Sequence, residues 1–149
     1  MNRRDLLGLF STAAVGLAAL AGPGFEAAAR AQKAGADMYA RCAKACKDCQ
    51  AACSACSAHC AGMIKAGDKA HVKTKQLSDD CADICAAAAK LTQRKGPLTN
   101  TICEACANAC DACGAECAKY PTMKTMMDCV KSCKACAKAC RDMIAGHHA

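Results

Sequence analysis

The most regular pattern in the chain is the spacing of its cysteines. In the stretch RCAKACKDCQAACSACSAHC, residues 41–60, cysteines recur at separations of four, three, four, three and four, and lysine, aspartate and glutamine occupy positions between them. Alternating steps of three and four average 3.5 residues, which keeps one stripe of a helix facing its partners. The pattern therefore predicts an amphipathic helix whose buried stripe is cysteine where leucine is usual.

Start and stop signals divide the rest of the chain into helices. Asp37 can cap a first helix that runs to about Ala66, and Gly67 and Asp68 then supply a stop and a new cap. A second helix is expected over roughly residues 69–93, because its cysteines and alanines continue the helical pattern.

The second half of the chain carries two further helices. Gly96-Pro97 breaks the second helix, and Thr101 and Glu104 stand at capping-box spacing, although Pro97 could also lie in the first turn of a slightly longer third helix. The third helix must end by Tyr120-Pro121, and Thr122 begins a fourth that runs to about Ala145. Short connections favour antiparallel neighbours, so we expect an all-α, up-and-down four-helix bundle with a cysteine-lined core.

All 17 cysteines fall on these four predicted helices. The stripe of each helix then faces the others, so the interior of the bundle is predicted to be a column of sulfur, with alanine beside it and lysine outside. The first helix carries Cys42, Cys46, Cys49, Cys53, Cys56 and Cys60, the second Cys81 and Cys85, the third Cys103, Cys106, Cys110, Cys113 and Cys117, and the fourth Cys129, Cys133, Cys136 and Cys140.

The N-terminal segment has a different composition. Arg3 and Arg4 precede a weakly hydrophobic, glycine-containing run that is too short to span a bilayer, and Ala29-Arg30-Ala31 offers small residues to a peptidase. We interpret residues 1–31 as a cleaved twin-arginine export signal, with an ordinary secretory signal as the alternative, and residues 32–149 as the helical domain.

The charge pattern argues against a nucleic-acid partner. The formal net charge is +7, but the lysines are scattered among alanines and cysteines, and the chain has no tryptophan, two tyrosines and two phenylalanines. Without an aromatic platform these charges indicate a solvated outer face. Catalytic patterns such as a phosphate-binding glycine loop or a serine, histidine and aspartate set are also missing, so we do not expect an enzyme.

Three explanations compete for the sulfur column. Cysteine as plain core filling would bury much less apolar area than leucine. A disulfide framework suits an exported protein, but the cysteine count is odd and neighbours on one rigid helix rarely reach disulfide geometry. The third explanation is a soft metal: two or three thiolates satisfy copper(I), whereas structural zinc takes four. Copper(I) is favoured, and a metallothionein-like zinc or cadmium store stays open.

The residues that extend the cysteine stripes favour copper. Met63 follows Cys60, Met126 precedes Cys129, and stepping back from Cys81 reaches His71. In an up-and-down bundle these residues, with His59 and Met123, gather at one pole, and thioethers are good copper(I) ligands but poor zinc ligands. We call this pole the mouth and predict His59, Met63, His71 and Met126 as metal ligands there. Met143 extends the stripe of the fourth helix at the opposite pole and is a weaker candidate.

The cysteine-lined helices, the CxxxC and CxxC alternation and the twin-arginine leader together resemble the exported branch of the copper storage proteins. The resemblance covers residues from about Asp37 to Ala145. It implies a four-helix bundle that holds many Cu(I) ions on cysteine, with His59, Met63 and His71 at the mouth, and it implies a tetramer.

The same resemblance implies a storage role in the periplasm. The expected partners are copper ions, further copies of the chain, and a copper-requiring enzyme or a chelator as recipient. Nucleic acid is not expected as a partner, and neither is a membrane once the signal is removed.

Overall fold

The computed structural model describes residues 23–146, and these are almost entirely helical. Helix α1 spans Pro23–Lys65, α2 spans Val72–Gln93, α3 spans Thr99–Cys117 and α4 spans Lys124–Gly146, with one 3-10 turn at Lys69–His71 before α2. Residues 23–146 include no strand. None of the described helices is long and apolar enough to cross a membrane. The predicted all-α class is confirmed.

The start of α1 differs from the prediction. The helix begins at Pro23, so Asp37 lies inside it and does not cap it. Residues 26–36 are rich in alanine, the strongest helix former, and Glu26 pairs with Arg30 one turn later at 3.9 Å. These local preferences carry the helix upstream of the first cysteine, where there is no apolar stripe to reveal it.

The chain divides into two compact units, Met1–Gln32 and Lys33–Ala149. Of the first unit, the structure describes the beginning of α1, whose side chains are exposed from residue 24. The paired arginines Arg3 and Arg4 lie outside the described residues. All 17 cysteines belong to the second unit.

The end of α1 follows the predicted stop. Gly67 adopts a φ of +100°, a left-handed conformation in which a side chain would be strained. The Asp68 amide donates to the Met63 carbonyl at 3.0 Å and the Gly67 amide donates to the Ile64 carbonyl at 3.0 Å, which is the Schellman pattern. Asp68 then caps the 3-10 turn by accepting a hydrogen bond from the Ala70 amide at 3.0 Å. One dipeptide thus ends α1 and starts the next element.

The junction of α2 and α3 is closed by backbone bonds, not by the expected capping box. The Gly96 amide donates to the Leu91 carbonyl at 3.0 Å, and Lys95 takes a positive φ of 53°. Thr101 lies inside α3, and the N-cap residue Leu98 makes no side-chain cap bond. Thr99 instead ties the start of α3 to the preceding linker, since its hydroxyl donates to the Gly96 carbonyl at 2.5 Å.

The predicted break at Tyr120-Pro121 is confirmed. Helix α3 ends at Cys117, and α4 begins at Lys124, two residues later than Thr122, because the Met123 amide bonds the Tyr120 carbonyl in a turn. The Tyr120 hydroxyl also donates to the Ala70 carbonyl at 3.1 Å. This bond joins the end of α3 to the 3-10 turn at Lys69–His71.

Sulfur contacts between helices define the direction of each helix. Along α1 and α4 the partners run in opposite senses, from Cys42 with Cys140 to Cys53 with Cys129, so these helices are antiparallel. Along α1 and α3 the residue numbers of the paired cysteines rise together, so these two helices are parallel. The numbers run in opposite senses between α3 and α2 and between α3 and α4, so α3 is antiparallel to both. The order is that of an up-and-down bundle, as predicted.

Small side chains allow the helices to approach closely around the sulfur. Ala43, Ala107 and Ala137 are buried beside the cysteines of their helices. At Gly114 on α3 an added Cβ would lie 3.3 Å from the Cβ of Cys133 on α4, which is closer than an ordinary van der Waals contact. The core is therefore shaped for thiols in contact and has little room for larger apolar groups.

Candidate metal centre

Every cysteine of the chain lies in the core. All 17 are free thiols, and each is at most 1% exposed to solvent. Helix α1 contributes six, α3 five, α4 four and α2 two, on the stripes predicted from their spacing. We call this set the cysteine column. It forms the buried centre of the bundle, with buried alanines and Val130 beside it.

The first wall of the column lies between α1 and α4. Five contacts follow one another along these antiparallel helices, and each joins sulfur to sulfur across the interface. They pair Cys42 with Cys140 at 3.8 Å, Cys46 with Cys136 at 3.7 Å, Cys49 with Cys133 at 3.8 Å, Cys53 with Cys129 at 3.7 Å, and Cys56 Sγ with Met126 Sδ at 3.3 Å.

The other helices close the column. Helices α1 and α3 meet through sulfur at every heptad, which pairs Cys42 with Cys103 at 3.8 Å, Cys49 with Cys110 at 3.7 Å and Cys56 with Cys117 at 3.5 Å. Helix α2 reaches α3 through Cys81 with Cys110 at 3.8 Å and Cys85 with Cys106 at 3.6 Å. Helices α3 and α4 meet through Cys106 with Cys136 at 3.7 Å and Cys113 with Cys129 at 3.8 Å.

These separations fit metal ions shared between sulfurs. Sulfurs bound at about 2.3 Å around one ion stand roughly 4 Å apart in a trigonal plane and slightly less in a tetrahedron. Several sets of four thiols lie within 4.8 Å of one another and overlap along the column. They include Cys46, Cys106, Cys136 and Cys140; Cys85, Cys106, Cys110 and Cys136; and Cys49, Cys81, Cys85 and Cys110, so that each set shares two cysteines with the next. Because the sets share members, the column favours bridging sulfurs over separate closed sites.

The charges around the column restrict what it can hold. Among residues 24–146 every lysine and arginine side chain is exposed or half-buried, so no described cation lies in the core. Many ion pairs of the outer face join residues on one helix, such as Lys44 with Asp48 and Lys138 with Asp142. A metal–thiolate assembly in this core must therefore be nearly neutral by itself, because uncompensated buried charge is very costly.

Hydrogen bonds between neighbouring thiols shift their pKa values in both directions. Bonds with Cys110 and Cys133 hold the pKa of Cys49 below its usual range, and those with Cys117 and Cys129 do the same for the pKa of Cys56. Bonds with Cys113, Cys129 and Cys133 raise the pKa of Cys53. Burial raises the pKa of Cys60 to about 12. A thiol whose charged form accepts hydrogen bonds from its neighbours thus loses its proton more readily than those neighbours do.

The residues predicted at the mouth differ in how closely they join the column. Met126 is fully buried, and its Sδ lies 3.3 Å from Cys56 Sγ, which continues the sulfur series by one thioether. His59 and Met63 are half-buried on the last turns of α1. The His59 Nε2 atom is sealed from solvent without a hydrogen-bond partner among the described residues.

His71 is enclosed at the N-terminal end of α2. Its side chain is 1% exposed, its ring lies 4.4 Å from the Tyr120 ring, and its Nε2 lies 3.4 Å from Asp68 Oδ2. Its Nδ1 is buried and has no hydrogen-bond partner in the described part of the chain. A buried nitrogen without a partner is costly, so this atom is a candidate ligand.

The opposite pole, which we call the far pole, also carries thioethers. Met143 is fully buried, and Met38 packs so closely against Gly146 that an added Cβ there would lie 2.5 Å from Met38 Sδ. These two methionines close the far pole with apolar groups. The tail residues His147 and His148 lie outside the described residues.

Hydroxyl groups complete the stripe of α2, a feature that the cysteine pattern does not emphasise. Thr74, Ser78 and Thr92 are fully buried on the face that carries Cys81 and Cys85. Ser78 Oγ lies 3.7 Å from Cys113 Sγ and Thr92 Oγ1 lies 3.5 Å from Cys103 Sγ. In the sequence, these hydroxyl residues could be recognised by the spacing of three, four and three residues from His71 through Thr74 and Ser78 to Cys81, which continues the buried stripe of α2.

Residues 35–145 match the family described as Csp, copper storage protein. The chain is 41% identical over 70 residues to the uncharacterized cysteine-rich protein YhjQ of Bacillus subtilis, an alignment that covers 47% of this chain and 64% of that protein.

Solved structures are similar over a greater length. The chain is 32% identical to a cytosolic copper storage protein from Streptomyces lividans with five coppers, with a TM-score of 0.70 over 76% of this chain and 97% of the other. It is 38% identical to apo copper storage protein 3 from Bacillus subtilis, with a TM-score of 0.62 over 70% and 96% of the two chains. Since the family match spans all four cysteine-bearing helices, the chain belongs to the copper storage protein family.

Proposed function

We propose that this protein stores many Cu(I) ions inside its four-helix bundle on cysteine thiolates, and that it acts as a store and not as an enzyme. The observation that carries the proposal is a column of 17 buried free thiols with no buried cation in the described core. One monovalent ion per thiolate leaves such a column neutral. The match to the copper storage family supports the same cargo.

Zinc fits this core less well than copper(I). Four thiolates around one divalent zinc ion carry two net negative charges, and the described core offers no cation to offset them. Copper(I) is satisfied by two or three sulfurs, so neighbouring ions can share the overlapping sets of the column. The thioether of Met126 beside Cys56 adds a soft ligand that zinc rarely uses.

We assign all 17 cysteines as copper ligands and place the loading end at the mouth. His59, Met63, His71 and Met126 are the proposed ligands there, and their soft or nitrogen donors suit copper(I). Met126 and His71 are buried, whereas His59 and Met63 are half-buried on α1 and can meet an arriving ion first. The proposed path therefore runs from α1 at the surface to Met126 and Cys56.

Export and assembly are further parts of the proposal. The paired arginines and the weakly hydrophobic run that follows them support delivery to the periplasm by the twin-arginine route, and the mature domain then begins near Gln32. The resemblance to the exported branch of the family supports a tetramer. A copper-requiring enzyme or a chelator would receive the stored ions.

Anaerobic titration of the reduced mature protein tests the storage function. We expect Cu(I) to compete with a strong chelator until on the order of 15 to 20 ions are bound per chain, because each ion needs only two or three shared sulfurs. A zinc titration is the matched comparison, and it should saturate at about four zinc ions per chain because each ion takes four thiolates. Saturation with one or two Cu(I) ions, or tighter filling by zinc, would contradict the proposal.

Proton release gives a second test. Thiols such as Cys60, whose pKa burial raises to about 12, are protonated at neutral pH and must lose their protons to bind copper. Loading should release nearly one proton per thiol used. The affinity for Cu(I) should therefore fall as the pH is lowered, by about tenfold per pH unit for each proton displaced per ion. Proton counting in weakly buffered solution measures this, and release of only a few protons at full loading would contradict it.

Substitution at the mouth tests the loading end. The double variant His59→Ala with Met63→Leu should slow Cu(I) uptake by about an order of magnitude, the scale on which side chains around a metal change its affinity or activity. Its final capacity should be close to that of the unmodified protein, because the column is intact. Met38→Leu removes a thioether at the far pole and is the matched control, with uptake expected at the unmodified rate. Stopped-flow absorbance at the thiolate–copper band measures both, and equal rates in the two variants would refute the assignment.

A further inference from the structure

Asp68 touches both the backbone and the imidazole of the 3-10 turn before α2. Its Oδ1 accepts a hydrogen bond from the Ala70 amide at 3.0 Å, and its Oδ2 lies 3.4 Å from His71 Nε2. The first contact is an ordinary cap. The second is not required for capping, and it joins a carboxylate to a histidine that is almost completely buried.

The two nitrogens of His71 have different surroundings. Nε2 faces the carboxylate of Asp68, whereas Nδ1 is sealed from solvent without a hydrogen-bond partner among residues 23–146. A neutral imidazole carries one N–H, and a carboxylate accepts but does not donate. A neutral His71 ring that donates to Asp68 therefore carries its proton on Nε2 and leaves its lone pair on Nδ1.

The ring is also held in place on its face. The Tyr120 ring lies 4.4 Å from the His71 ring at an angle of 34°, and the Tyr120 hydroxyl donates to the Ala70 carbonyl at 3.1 Å. Asp68 and Tyr120 thus hold the same short turn by different atoms. Of these two residues, Asp68 alone contacts a ring nitrogen of His71 and can choose which nitrogen is protonated.

We propose that Asp68 is a positioning residue for the copper mouth, which holds His71 in the Nε2–H form so that Nδ1 is free to bind Cu(I). The inference rests on the storage function proposed above and on His71 as a ligand. Carboxylates commonly hold metal-binding histidines in this manner, and their loss usually weakens a metal site by about 10- to 100-fold. Asp68 is 46% exposed, so its own carboxylate is accessible at the surface while the nitrogen it controls is buried.

Two substitutions of Asp68 separate capping from control of the tautomer. Asp68→Ser keeps an oxygen for the Ala70 amide, because serine is a good N-cap, but has no second oxygen for His71. Asp68→Asn keeps both the size and a capping oxygen, but turns an amide donor toward Nε2, which favours the proton on Nδ1. Tyr120→Phe is the matched control, since it loosens the same turn without touching a ring nitrogen.

The ring tautomer is read by long-range 15N NMR of histidine in the reduced apo protein, with His71 assigned by comparison with His71→Gln. We expect Nε2–H in the unmodified protein and in Tyr120→Phe, a mixture in Asp68→Ser, and Nδ1–H in Asp68→Asn. Both Asp68 variants should take up Cu(I) about tenfold more slowly, with unchanged capacity and urea midpoint. Tyr120→Phe should load near the unmodified rate.

Two results would overturn the inference. One is the Nε2–H form and unmodified loading in both Asp68 variants. The other is equally slow loading in Tyr120→Phe with its tautomer unchanged, which would assign the effect to loosening of the turn. If the unmodified protein takes up almost no Cu(I), the storage function fails, and the apo NMR spectra still decide whether Asp68 fixes the tautomer.

Discussion

Seventeen thiols are kept out of water on an alanine-rich scaffold, and the 3.5-residue spacing achieves this by placing them on one stripe of each helix. A thiol is small, so this core buries less apolar area than one of leucine and stabilises the apo fold less. Close helix packing at alanines and at Gly114 compensates in part. Metal bound only by the folded chain adds stability by mass action, so cargo and fold are linked.

The same burial decides the chemistry of the cargo. No lysine or arginine among the described residues is buried beside the thiols, and contacting cysteine sulfurs stand 3.5 to 3.9 Å apart in overlapping sets. These two facts favour many monovalent soft ions that share ligands over a few divalent ions in closed tetrahedra.

The sequence predicts the parts of this structure that depend on periodicity and on turn residues. The cysteine stripes, the stop at Gly67-Asp68 and the break at Tyr120-Pro121 follow from local rules and are confirmed. The start of α1 at Pro23 was missed, because an exposed alanine-rich helix has no apolar stripe. The capping box at Thr101 was wrong, because Thr99 and the backbone bonds of Gly96 close that junction instead. Which nitrogen of His71 faces Asp68 and which is buried depends on how the folded chain orients the ring, and residue spacing does not reveal that orientation.

In the proposed store, copper occupies the interior of the bundle along the cysteine column. Anomalous diffraction at the copper edge from crystals of the fully loaded protein tests it most directly, because it locates each ion regardless of its ligands. We expect a line of copper peaks from the level of Cys42 and Cys140 to that of Cys56 and Met126, each ion bound by two or three donor atoms. Peaks confined to the protein surface or to the C-terminal histidines, with an empty core, would contradict it.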